Sequence, residues 1–136
     1  MASGATCSAE IYEIARHGFS LVCGGLGGVM EAACRGAKEA GGITIGIIPT
    51  ADKRDANPYC DLIIPTGLGH ARNVLVVHAS DALVAVDGET GTLSEIAIAL
   101  KVGKPIVGIN TWELGGRIPL AQGGREASAM IMEMLR

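Results

Sequence analysis

Apolar residues along this chain fall into short continuous runs, separated by stretches with helical spacing. FSLVC (Phe19–Cys23) is bounded by His17-Gly18 and Gly24-Gly25, and TIGIIP, DLIIPT, ALVAVD and PIVGIN repeat the form. Runs that are apolar throughout, rather than alternating, suit strands covered on both faces of a parallel sheet. Between them Val29–Ala40, Leu68–Ala79 and Leu93–Val102 carry helical periodicity, the last with Leu93, Ile96, Ala97 and Leu100 on one face. Strand and helix alternate, which predicts a three-layer, Rossmann-like α/β domain with a mainly parallel sheet.

The ends are less regular. Met1–Ala5 offers at most a strand stub, and Ser8–Arg16 supplies roughly two and a half turns at 3.6 residues per turn. The N-terminal strand and helix are therefore expected to be truncated. Trp112–Gly124 has the Gly and Pro density of a loop, and Arg125–Arg136 reads as an amphipathic helix with Met130, Ile131, Met134 and Leu135 inward.

Length and charge narrow the function classes. The 136 residues fit a single domain over the whole chain, long enough to bury a core. Eleven Lys and Arg against 14 Asp and Glu, with no basic cluster, give electrostatics little to hold a nucleic acid with. Aromatics at 3% remove the stacking platforms of single-strand binders. Cys7, Cys23, Cys34 and Cys60 show no Cys-x-x-Cys spacing and read as reduced thiols of a cytoplasmic protein. No apolar run approaches the roughly 18 residues of a membrane span, so no membrane partner is expected. His70 and His78 lack metal-ligand spacing, no metal site is expected, and Cys23 reads as a packing residue at a strand end.

Two glycine-assisted junctions carry the candidate chemistry. CGGLGGVMEAAC leaves a strand, turns through Gly24, Gly25, Gly27 and Gly28, and enters a helix with Met30 in its first turn. Glycines let backbone amides converge on an anion, and a helix N-terminus adds unpaired N–H groups and partial positive charge. Neither the Walker signature nor the dinucleotide fingerprint is present, and such turns also serve packing alone. GETGTLSE supplies a second helix start, with Gly91, Thr92 and Glu95. Thr92 and Glu95 fit a capping box, while a helix start at a strand end is also where open α/β sheets bind ligands. GLGHARN puts Arg72 in the first turn of a further helix, where a cation opposes the dipole; it either answers a bound anion or is a solvated surface residue.

Taken together, GGLGGVMEAACRGAKEAGG, GHARN and GTLSEIAIALKVGKPIVG resemble the Lonely Guy and lysine-decarboxylase-like (SLOG) superfamily, most closely its molybdenum cofactor carrier protein-like branch. The resemblance implies a Rossmann-like fold, a homodimer or homotetramer, and a phosphate-bearing small molecule as partner. No cofactor is implied as required; phosphate, a nucleotide or the molybdenum cofactor would be the bound species. The enzymes of the superfamily cleave the N-glycosidic bond of nucleoside 5′-monophosphates with a Pro-Gly-Gly-x-Gly-Thr-x-x-Glu motif and an upstream arginine. By position these fall on Gly91-Thr92, Glu95 and Arg72, which would be catalytic if the chain is an enzyme. Asp87 replaces the proline, Glu89 the second glycine, and Asn73 the lysine common after the arginine. The first expectation is thus a binding or carrier protein for a phosphorylated small molecule, and the alternative a phosphoribohydrolase of the Lonely Guy type.

Overall fold

Five of the apolar runs become strands, and the inner ones are buried on both faces. In Thr44–Ile48 every residue but Ile45 is buried, and all four residues of Ile106–Ile109 are. The computed structural model describes residues 4–88 and 90–136. Its elements run α1 (Gly4–Ala15), β1 (Leu21–Cys23), α2 (Val29–Glu39), β2 (Thr44–Ile48), β3 (Leu62–Pro65), α3 (Arg72–Ala79), β4 (Leu83–Val86), α4 (Thr90–Val102), β5 (Ile106–Ile109), β6 (Leu120–Ala121) and α5 (Gly124–Met134). Short 3-10 turns cover Lys53–Asp55 and Gly69–Ala71. The two-residue β6 lies within the stretch expected to be loop, and is too short to leave a periodic signal.

Every strand pair is parallel. β1, β2 and β3 form one sheet in that order, with Cys23 opposite Gly46 and Gly46 opposite Ile63. β4, β5 and β6 form another, with Val86 opposite Ile109. Among the described residues β1 and β4 do not pair with each other; they line a common cleft.

Helices cover both faces, giving the three-layer, Rossmann-like arrangement expected. On one side α1, α2 and α5 bring Ile11, Ile14, Ala33, Ala37, Ala127 and Ile131 onto Val107 and Ile109. On the other, Val77 of α3 and Ile96 and Ala99 of α4 meet Leu83, Ala85 and Ile106. Ile96 is fully buried, a contribution of roughly 1.5–3 kcal/mol for a side chain of its size.

The helix faces differ in detail from the periodic reading. On α4 the buried residues are Ile96 and Ala99, whereas Ala97 and Leu100 are exposed. On α5 Gly124, Ala127, Ser128 and Ile131 face inward, Met130 is half-buried, and Met134 and Leu135 are exposed. Small residues carry these contacts, and a scan for large apolar side chains overlooks them. α1 is also longer than expected: it includes Gly4 and Ala5 and runs for 12 residues, while Met1–Ser3 lie outside the described residues. Its early residues are small and polar, and what holds it is close packing. A Cβ on Gly36 of α2 would collide with the Ser8 carbonyl oxygen, and one on Gly124 of α5 with that of Glu10.

Candidate functional site

The loop Gly24–Gly28 connects β1 to α2, and several of its glycines are required by their surroundings. Gly25 and Gly28 have φ of +73° and +65°, a left-handed backbone that L side chains rarely adopt. Gly25 is also packed: a Cβ there would lie 2.6 Å from Ile48 Cγ2. Asn57, itself buried, fixes the loop from outside, its N–H donating to the Gly25 carbonyl (2.8 Å) and its Nδ2 to the Leu26 carbonyl (2.9 Å). Gly28 is the N-cap of α2, and no side chain caps the helix. The α2 N-terminus therefore retains amide donors for a ligand or water.

The second junction follows β4. Asp87 adopts φ +64°, and the Thr111 hydroxyl donates to its carbonyl. α4 then begins at Thr90, three residues before the Leu93 start a Thr92 cap would demand. Thr92 is thus the third residue of the helix and Glu95 the sixth, so the Thr92–Glu95 capping box is not formed; Glu89 lies outside the described residues. Glu95 lines the cleft instead. Burial raises its carboxyl above the ordinary range, and the positive charge of Arg72 opposes the shift.

Arg72 is the first residue of α3, as GLGHARN suggested, but it is no surface residue: only 8% of it is exposed. Its Nη1 donates to Asn73 Oδ1, and its buried Nε has no partner. Among the described residues no carboxylate comes within ion-pair distance of it. The guanidinium lies where a Cβ on Gly24 would otherwise be, 2.6 Å from Nη2, with Met30 Sδ 2.7 Å from the same point. An arginine with an unused donor in a buried place is costly unless an acceptor completes it.

All of these groups share one cleft of about 420 Å³, within the size range of small-molecule sites. Gly24, Gly27, Gly28, Met30, Arg72, Gly91, Thr92 and Glu95 line it, so eight of the nine sequence-derived residues come together. Gly25 is turned into the packing against Ile48 and Gly46 and is not part of the lining. Cys7, His70, Asn73, Asp87 and Thr90 also line the cleft and were not singled out as ligand contacts. His70 and Asn73 lie within the GHARN stretch, and Thr90 beside Gly91; Cys7 has no local signal, because α1 brings it there from a distant part of the chain. Arginine, glycine amides and threonine hydroxyls are anion-binding groups, and a carboxyl facing them can donate or accept a proton at whatever the anion carries.

The SLOG cluster4 family profile matches residues 5–134. The molybdenum cofactor binding protein of the phototrophic bacterium Rippkaea orientalis superposes with a TM-score of 0.91 at 32% identity, over 100% of this chain and 90% of that one. The molybdenum cofactor carrier protein of Chlamydomonas reinhardtii gives 0.87 at 36% identity, over 97% and 87%. A cytokinin riboside 5′-monophosphate phosphoribohydrolase of Mycobacterium tuberculosis is 35% identical over 73% of this chain, which spans only 58% of that enzyme. With the profile matched along nearly its whole length, the chain belongs to the SLOG cluster4 family.

Proposed function

We propose that the protein binds or carries a phosphorylated small molecule, nucleotide-like or molybdenum-cofactor-like, in the cleft between the α2 and α4 N-termini. The observation that carries this reading is Arg72, more than nine-tenths buried, with Nε unpartnered and its guanidinium set against Gly24 at the mouth of an uncapped helix. A phosphate would complete that donor and accept from the first-turn amides of both helices and from the Thr92 hydroxyl. The solved carrier and cofactor-binding relatives support this reading over the others. Titration calorimetry with inorganic phosphate and with adenosine monophosphate tests it, and wild-type affinity in Arg72→Ala would defeat it.

One observation favours a second reading, a nucleoside 5′-monophosphate phosphoribohydrolase. Glu95 faces the same cleft as Arg72 with its proton held more tightly than an ordinary carboxyl. In that reaction Glu95 would position water or stabilise an oxocarbenium-like sugar while Arg72 holds the phosphate. Release of free adenine from adenosine monophosphate decides between carriage and turnover.

We further place the protein in the cytoplasm as a homodimer or homotetramer. Among the described residues no helix is long and apolar enough to cross a membrane, and β3, the outer strand of its sheet, exposes Leu62 and Ile64 on one face.

A further inference from the structure

Three thiols that are far apart in the chain meet behind the glycine loop. Cys23 ends β1, Cys34 lies in the middle of α2, and Cys60 precedes β3. Cys23 Sγ and Cys34 Sγ are 3.4 Å apart, and Cys34 Sγ and Cys60 Sγ are 4.0 Å apart. The cluster is built in rather than incidental. Gly46 leaves the room that Cys60 uses, since a Cβ there would stand 2.7 Å from its sulfur. Asn57 Nδ2, which also holds Leu26, points a donor at Cys34 Sγ from 3.7 Å. Among the described residues no group of His, Cys, Asp or Glu is placed to hold a metal ion.

We propose that Cys23, Cys34 and Cys60 form an oxidisable relay, in which a hydroperoxide oxidises Cys60 first and the oxidation comes to rest as a disulfide between Cys23 and Cys34. Access and acidity separate the roles. Cys34 is fully buried, whereas Cys23 and Cys60 are both half-buried, so access sets Cys34 apart and acidity separates the other two. Hydrogen bonds from Cys23, and then from Cys34, bring the Cys60 thiol down to about 7 against burial and the charge of Asp61. Cys23 is pushed up, by its hydrogen bonds to Cys34 and Cys60 and by burial. Thiolate is the reacting form toward a peroxide, so Cys60 is the thiol that meets the oxidant first.

The steps balance without any further reagent. The Cys60 thiolate attacks one peroxide oxygen, the O–O bond breaks, and the products are a Cys60 sulfenic acid and an alkoxide that takes a proton from water. Cys34 attacks the Cys60 sulfur; an S–S bond forms and hydroxide leaves with the Cys34 proton as water. Cys23 then attacks Cys34, displacing Cys60 and passing it the Cys23 proton. The net change is two thiols and one hydroperoxide to one disulfide, one alcohol and one water. The last exchange runs toward Cys23–Cys34 because the more acidic thiol is the better leaving group. It requires the 3.4 Å gap to close by roughly 1.4 Å to a bond of about 2.05 Å. Closure also disturbs the glycine loop, since Cys23 Sγ accepts from the Gly25 amide at 3.4 Å.

The test uses the full chain and hydrogen peroxide as the hydroperoxide. After exposure to a few equivalents and alkylation of remaining thiols, peptide mapping should find a Cys23–Cys34 disulfide with Cys7 and Cys60 alkylated, reversed by dithiothreitol. Cys60→Ser should slow disulfide formation at least tenfold. In the unoxidised wild type, iodoacetamide should modify Cys60 first, with a rate rising through about pH 7. A disulfide between other cysteines, an undiminished rate in Cys60→Ser, or equal alkylation of all four thiols would each overturn the relay, and the alkylation profile needs no variant to fold.

Discussion

The Arg72 guanidinium fills the space beside Gly24 that any other residue's Cβ would claim, with Nη2 2.6 Å from that point. The two residues therefore act as one device. Gly24→Ala should displace Arg72 and weaken phosphate binding about as much as Arg72→Ala does, by on the order of 1.5–3 kcal/mol for a hydrogen bond to a charged group. Calorimetry on both single variants and the double variant checks this. The double variant should lose little more than either single one, as coupled neighbours do.

Glu95 separates stability from function. Its folded carboxyl holds its proton more tightly than in the unfolded chain, so its contribution to stability is fully present below the unfolded value and is lost as pH rises through the folded one. Once ionised, the half-buried group is a liability. Glu95→Gln should leave neutral-pH stability unchanged or higher, flatten the decline in melting temperature above the ordinary glutamate range, and still reduce ligand affinity or hydrolysis. Thermal melts over a pH series and the calorimetric assay read the two effects separately. Wild-type binding and turnover in Glu95→Gln would remove the residue from the site.

The strands, the glycine junctions and the helix position of Arg72 are all local: each rests on a run, a turn or a spacing within about ten residues. What depends on distant contacts was not legible. Arg72 reads equally well as a surface residue until Gly24 and α3 are brought together. Thr92 and Glu95 have a capping-box spacing, yet the helix starts at Thr90, and on α5 Gly124, Ala127, Ser128 and Ile131 are buried and Met130 packs against the core, while Met134 and Leu135 are exposed. The meeting of Cys23, Cys34 and Cys60 has no local signature at all, because it depends on the register of β1 and β2.

Gly91 lies in the first turn of α4, exposed, with no atom near the position of a Cβ. Helix propensity argues against glycine there by up to about 1 kcal/mol relative to alanine. Gly91→Ala should therefore raise stability in urea unfolding by a fraction of that amount while lowering phosphate affinity, because the ligand's approach to the helix amides is what tolerates no Cβ. Gain of stability with full binding would place the phosphate elsewhere.

Leu62 and Ile64 project from the same face of an outer strand, at 57% and 48% exposure. Side chains of this kind on an edge strand invite pairing with another chain. Light scattering at micromolar concentration should report a dimer or tetramer, and replacing both residues by lysine should shift the mass toward monomer without lowering the melting temperature by more than a few degrees. A monomeric wild type would refute the assembly.

α1 touches both α2 and α5, through backbone that fits only because Gly36 and Gly124 lack side chains. Since β1 and β4 share no hydrogen bonds among the described residues, this helix fastens the two sheets on one face, as α3, touching β1, β2 and α4, does on the other. Amide hydrogen exchange should then show β2 and β5 released by the same opening event in the wild type. In Gly36→Ala, overpacked by about 1–3 kcal/mol, the two sheets should exchange at different rates, so that one glycine determines whether the molecule behaves as one cooperative unit or two.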